Sequence, residues 1–237
     1  MPGAIWCVVE DDRKGMPKNV MAEVLGEATR LGGPTEAVWL TDKAGDDGLR
    51  RLGAWGATKV WLLENAAFAP YRSEVWAAAL ADLAAVQSPK AIFGPVTSRQ
   101  REALARLAAR LGVGIAADSV GFSMDGDRLV ATRPVYAGKL LSKVTWAKQP
   151  WIATLRPNVF RPAESQAGKT ATVERPSLKI ADAQMKFVER REELSTGLPE
   201  LTEAEIVISG GRGMKGPENY VILEEMEIGR ASCRERV

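Results

Sequence analysis

Ile5-Trp6-Cys7-Val8-Val9-Glu10-Asp11-Asp12 sets the pattern of the chain: five apolar residues run straight into three acids. A short apolar run that ends in a polar turn reads as a buried strand. Residues 19–31 follow, with Val20, Met21, Val24, Leu25, Ala28 and Leu31 at helical spacing, and Gly32-Gly33 closes them. The same alternation repeats outward from this unit. Strands are predicted at 37–40, 59–63, 91–93 and 113–117. Helices are predicted at 46–52, 71–86 and from Thr97-Ser98 to Leu111, with Leu104, Leu107, Ala108 and Leu111 on one face. Strand, helix, strand, helix at this pace means right-handed βα units on a mostly parallel sheet. The strands are nearly continuous apolar runs, as expected where helices cover both faces.

Beyond Asp118 the pattern changes. Residues 120–124, 129–135, 140–146 and 151–155 are β-type runs, separated by Asp125-Gly126-Asp127, Ala137-Gly138 and Gln149-Pro150. Asp-Gly between two such runs is a hairpin signal, so all four are read as an antiparallel β extension. Residues 160–176, with Pro162 and Pro176 among Ser, Gly and Lys, read as loop or linker, and 178–190 as a strand pair. The fold class is therefore α/β: a mostly parallel sheet with helices on both faces and an antiparallel β extension. The start of a second α/β domain follows it.

Composition excludes several chemistries. The 237 residues include 46% hydrophobic and 26% charged side chains, ordinary for a globular protein. Lys+Arg 32 against Asp+Glu 30 leaves a charge of +2, without the basic bias of a nucleic-acid binder. There is no histidine, which removes Ser-His-Asp and Cys-His catalysis and every His-ligated metal site. The 2 cysteines, Cys7 and Cys233, cannot build a four-cysteine zinc or iron–sulfur site. Cys7, in its apolar run, reads as a buried hydrophobe, and Trp39, Trp61, Trp76, Trp146 and Trp151 read as core. No run approaches the ~20 apolar residues of a membrane span, and no secretory signal is visible. A cytoplasmic protein without membrane insertion is the expectation.

One stretch carries chemical content. Ile206-Val207-Ile208 runs into Ser209-Gly210-Gly211-Arg212-Gly213-Met214-Lys215-Gly216, and a helix is predicted from Tyr220. Glycines let backbone amides approach an anion closely, and Arg212 and Lys215 add full charges. The spacing is neither the dinucleotide fingerprint nor a P-loop. The residues alone leave two readings open: an anion cradle, or a tight turn with a solvated Arg and Lys. Elsewhere, Asp11-Asp12 beside Lys14, and Asp46-Asp47, read as solvated turns rather than acid pairs or metal ligands. Arg99, Arg101, Arg106 and Arg110 read as one helix's exposed face, and Ser98 has no partner that would make it a nucleophile.

The segment 206–219 closely resembles the opening of the FAD domain in electron transfer flavoprotein alpha subunits. Val135-Tyr136-Ala137-Gly138-Lys139 is similar to a hairpin of that family, and Thr154-Leu155-Arg156-Pro157-Asn158-Val159-Phe160 to another of its segments. Trp6-Cys7-Val8-Val9-Glu10 and Ala28-Thr29-Arg30-Leu31-Gly32-Gly33 also fit. The resemblance covers residues 4–226. It implies a redox carrier rather than a stand-alone catalyst. The carrier would be a heterodimer with a beta subunit, holding FAD and taking electrons from flavin dehydrogenases such as the acyl-CoA dehydrogenases of fatty-acid β-oxidation. It would pass them to a quinone oxidoreductase or another acceptor. It also implies that Arg212 contacts FAD, within a turn formed by Ser209, Gly210, Gly211 and Gly213. The family's later contacts, a Gln-x-Gly-Gln-Thr-Gly-Lys loop among them, have no match in this sequence. Only one corner of the flavin site is therefore expected here. The alternative is a nucleotide-binding or scaffold α/β domain that only pairs with a partner subunit.

The expected organisation is an N-terminal α/β domain with extension and linker over 1–195, then the truncated start of an FAD-binding domain over 196–226. Residues 227–237 resemble a translated sequencing adapter and are expected to carry no packed side chains. Tyr136, Leu140 and Leu141 are expected to form an exposed apolar patch facing a partner, because an antiparallel extension buries only one face on its own domain.

Overall fold

The computed structural model describes residues 3–177, 179–189 and 207–226. The expectation for the 227–237 tail thus lies outside the described residues. The chain divides into two compact units, Met1–Phe187 and Val188–Val237.

In the first unit the predicted alternation is realised. β1 (Ile5–Val8), α1 (Val20–Arg30), β2 (Thr35–Thr41), α2 (Asp46–Ala54), β3 (Lys59–Glu64), α3 (Ser73–Gln87), β4 (Ala91–Pro95), α4 (Ser98–Leu111) and β5 (Ile115–Ser119) follow in order. α4 is capped by Thr97, whose hydroxyl accepts the Gln100 amide at 3.2 Å. The antiparallel extension is β6 (Gly121–Asp125), β7 (Arg128–Val135) and β8 (Leu140–Thr145). Gly126-Asp127 form its two-residue turn, with Gly126 at φ +56°.

Three readings are corrected. The run at 151–155 does not belong to the extension: β9 (Trp151–Leu155) inserts between β4 and β5, parallel to both. All five of its residues are buried, as a central parallel strand requires. The linker contains β10 (Thr172–Glu174), which pairs parallel to β3. The result is a parallel sheet in the order β10-β3-β2-β1-β4-β9-β5. No strand pair forms at 179–189, while Leu178 and Arg190 lie outside the described residues. Instead, Ile180 and Ala183 pack on the α3 side of the core, and the Met185 amide donates to Glu74 on α3 at 2.7 Å.

The two-residue period of the strands sorts the core into two layers. Cys7, Trp39, Leu62, Phe93 and Ala153 face α1 and α2, whereas Trp6, Val38, Trp61, Ile92 and Ile152 face α3 and α4. All five tryptophans assigned to the core are buried, as is Cys7. The extension's Phe122, Leu129 and Ala131 join the first layer, where Phe122 stacks between Phe93 and Phe160.

Between β9 and β10 the chain forms a strap across α1 and α2. Three successive amides, of Asn158, Val159 and Phe160, donate to the Glu23 carboxylate at 3.0, 3.2 and 3.2 Å. The Ala163 amide then donates to the Ala22 carbonyl, and the Gln166 amide to the Ala54 carbonyl. The strap lies so close that a Cβ on Gly26 would sit 2.7 Å from the Arg161 carbonyl oxygen. One on Gly53 would sit 2.7 Å from the Ala171 nitrogen. Glycine is the residue that permits both crossings.

Candidate functional site

In the second unit, the predicted site residues form one continuous turn. Arg212–Met214 is a 3-10 turn, and Pro217–Tyr220 is a second that leads into α5 (Val221–Met226). Of the strand predicted at 206–208, Ile206 lies outside the described residues and Ile208 carries a single bridge pairing. The turn is locked from behind. The Tyr220 hydroxyl donates to the Gly210 carbonyl at 3.0 Å and Asn219 Nδ2 to the Met214 carbonyl at 2.7 Å. A Cβ on Gly210 would lie 2.8 Å from Leu223 Cδ1 and 2.9 Å from Met214 Cγ, so glycine is needed there for packing.

The front of the turn is different. Gly211 and Gly213 have open space where a Cβ would project. Ser209, Gly211, Arg212, Gly213 and Lys215 are exposed. Among the described residues, the amides of Gly211, Arg212 and Gly213 donate to nothing, whereas the next three, of Met214, Lys215 and Gly216, close the turn. Lys215 takes φ +64°, which turns the chain sharply after the arginine. Unused amides, no shielding side chain and an adjacent guanidinium are the donor set that an anionic group requires. The residues present therefore fit the phosphate-bearing part of a flavin nucleotide.

In the first unit, the chain runs from β1 outward through β2 and β3, then returns to β4 on β1's other side. In open α/β sheets the ligand crevice lies at this reversal, outside the carboxyl ends of the strands. Here the crevice is filled by a side chain of the protein. Arg99 Nε donates to Glu10 Oε1 at 3.0 Å, and one Nη donates to the Asp11 carbonyl at 2.6 Å. The guanidinium also reaches the Asp11 carboxylate at 3.2 Å and lies 5.7 Å from the centre of the Trp76 ring. Thr97 Oγ1 donates to Glu10, and Trp39 Nε1 donates to Asp11 Oδ2 at 2.9 Å. Burial opposes the charge on Arg99, but Glu10 and Asp11 outweigh it and hold the guanidinium protonated. Two readings are corrected here: Asp11 is not a solvated turn residue, and Arg99 is not on an exposed helix face. Glu10 and Asp11 are only 5% and 3% exposed. A phosphate placed in this crevice would meet two carboxylates.

Asp12 behaves as expected of a turn, accepting the Lys14 and Met16 amides, and Asp46 and Asp47 are exposed at the start of α2. Among the described residues, no group of three or more acids or cysteines is placed to hold a metal ion. No helix there is long and apolar enough to cross a membrane.

A doubly wound parallel sheet with an antiparallel extension, and an exposed glycine turn in the second unit, define an α/β protein. The comparisons narrow it. A family model described as "Electron transfer flavoprotein domain" matches residues 5–181. The electron transfer flavoprotein subunit alpha of Syntrophomonas wolfei is 33% identical over 221 residues, covering 93% of this chain and 69% of that one. Its counterpart in Thermoanaerobacterium thermosaccharolyticum is 30% identical over 94% of this chain and 69% of its own. Protein FixB of Azotobacter vinelandii is 30% identical over 94% of this chain and 64% of its own. The chain belongs to the electron transfer flavoprotein alpha subunit family.

Proposed function

We propose that this chain serves in a heterodimer with an electron transfer flavoprotein beta subunit and carries electrons on FAD. Flavin dehydrogenases such as acyl-CoA dehydrogenases would be the donors, and a quinone oxidoreductase or another acceptor would receive the electrons, in the cytoplasm. The flavin supplies the redox chemistry when bound; the protein contributes binding, orientation and electrostatics and makes no covalent chemistry of its own. The observation that carries this reading is the Ser209–Lys215 turn, with its unused amides and exposed arginine, in a chain matching alpha subunits over nine-tenths of its length.

In this reading, residues 196–226 open the FAD-binding domain. The remainder of the flavin site would lie in the part of its relatives' length that this chain does not span. The 237-residue chain by itself is then expected to purify colourless. Arg212 stabilises the anionic part of FAD by charge-assisted hydrogen bonds worth roughly 1.5–3 kcal/mol each. Tyr136, Leu140 and Leu141 are each exposed, by 76%, 57% and 67%, but Leu140 and Leu141 are successive residues of β8 and point to opposite faces of the hairpin, so they do not make one patch; as exposed apolar side chains they would face the beta subunit.

The test is Arg212→Ala in the subunit extended to its relatives' length and paired with beta. FAD retention should weaken about ten- to a hundred-fold, at ~1.4 kcal/mol per decade. Arg212→Lys should restore part of it, because lysine lacks the planar fork. Unchanged affinity in Arg212→Ala would make the arginine an ordinary surface residue.

A further inference from the structure

The glycine turn of the second unit is built on a short 3-10 ladder, in which each amide donates to the carbonyl three residues back. The Met214 amide donates to the Gly211 carbonyl at 2.9 Å, and the Lys215 amide to the Arg212 carbonyl at 3.1 Å. The preceding rung would join the Gly213 amide to the Gly210 carbonyl. Among the described residues that rung is absent. The Tyr220 hydroxyl donates to the Gly210 carbonyl instead, at 3.0 Å. The ring backs the same residue: a Cβ on Gly210 would lie 3.1 Å from Tyr220 Cε1.

The far end of the turn is braced by the neighbouring residue. Asn219 Nδ2 donates to the Met214 carbonyl at 2.7 Å, and that carbonyl also accepts the Gly216 amide at 2.8 Å. Between these bonds Lys215 is held at φ +64°, a backbone state that persists only where the surroundings fix it. The residues that follow the turn thus set its shape. Its front amides are left without acceptors of their own, and such groups are matched by water or by a ligand.

We propose that Tyr220 is a positioning residue for the anion site. By claiming the Gly210 carbonyl it keeps the Gly213 amide out of the ladder, so that this amide stays free beside those of Gly211 and Arg212 for the anionic part of FAD. Asn219 fixes the other end of the same turn. This role rests on the flavin reading above and names the residues that prepare its site. Donors held ready before the ligand arrives bind it more tightly than donors that must first leave a partner within the protein. Tyr220 acts through the backbone, from behind the turn.

The experiment measures the FAD affinity of the extended subunit paired with beta, at low and high salt, and the hydrogen-exchange protection of the Gly213 amide in the flavin-free complex. Tyr220→Phe keeps the ring and removes only the hydroxyl; circular dichroism and the affinity for beta check that the fold is intact. It should weaken FAD binding about three- to ten-fold, the size of one neutral hydrogen bond. Its salt dependence should match the parent's because Arg212 is still present, whereas Arg212→Ala should flatten it. Protection of the Gly213 amide should rise in Tyr220→Phe, as the missing rung forms. Asn219→Ala should weaken FAD binding several-fold. FAD affinity within two-fold of the parent in Tyr220→Phe, with Arg212→Ala weakened, overturns the role of Tyr220 and leaves the flavin reading standing. So does a fall in Gly213 protection accompanied by earlier melting, which marks a purely structural brace. An extended heterodimer that takes up no FAD overturns the flavin reading, and the role of Tyr220 with it.

Discussion

Replacing Arg99 with leucine tests how the crevice at the sheet reversal is stabilised. The guanidinium is the cation held between Glu10 and Asp11, both carboxylates are buried, and their other side-chain hydrogen bonds come from neutral donors: Thr97, Trp39 and the Arg13 backbone amide. Removing one partner of a buried ion pair strands the other charge, typically at about 3–5 kcal/mol. The contact with the Trp76 face adds about 0.5–1 kcal/mol. Against the ~5–15 kcal/mol that stabilises a domain, Arg99→Leu should remove a large fraction and move the urea midpoint well down. Tryptophan fluorescence is the natural readout, because Trp39 and Trp76 border the cluster. Adding Glu10→Gln and Asp11→Asn to Arg99→Leu should return most of the loss, since neutral amides leave no stranded charge. A loss below about 1 kcal/mol, the size of an exposed pair, would refute the burial argument. A triple variant no better than the single would refute the charge argument.

Three other outcomes follow from the geometry. Asp118 is held below its ordinary value of 3.8, chiefly by the Arg156 hydrogen bond, so its stabilisation is present above that pH and is lost as pH falls through the lower, folded value. Both groups are roughly two-fifths exposed, so Asp118→Asn should shrink the stability difference between neutral and acid pH by only ~0.2–1 kcal/mol; an unchanged acid limb would count against the pairing. Gly26→Ala should cost about 1–3 kcal/mol and make the 158–171 strap a site of limited proteolysis, whereas wild-type resistance would show that the strap can lift without penalty. Burial pushes the Cys7 thiol well up, so alkylation mapped by peptide mass should reach Cys7 only under denaturing conditions. Labelling of Cys7 in the native chain would contradict its place in the core.

Much of this architecture was legible because it is local. The βα alternation, the Gly126 turn and the burial of Cys7 follow from periods and turn chemistry within a few residues. β9 was misassigned although its signal was present: Trp151-Ile152-Ala153-Thr154-Leu155 is continuous rather than alternating, as a strand covered on both faces should be. Its neighbours, β4 and β5, precede it in the chain, and no spacing rule announces such an insertion. The Glu10–Asp11–Arg99 cluster was harder to see. Arg99 and Arg106 are seven residues apart and share a helical phase, yet Arg106 is exposed. What differs is that only the first turn of α4 lies over the ends of β1 and β4, and that depends on pairings some 90 residues apart in sequence. From its residues the glycine turn could be read either as an anion cradle or as a tight turn with a solvated Arg and Lys. Its unused amides and its lock by Tyr220 became visible only with coordinates.

The central claim is that this chain holds FAD as part of a heterodimer, with Arg212 in the site. The most direct measurement is the FAD content of the subunit, extended to the length of its relatives and co-purified with its beta partner, read from flavin absorbance per protein. The account predicts a yellow complex with stoichiometric FAD that is reduced by a flavin dehydrogenase and is depleted of flavin by Arg212→Ala. A stable heterodimer that purifies without flavin and takes up none when FAD is added would contradict it.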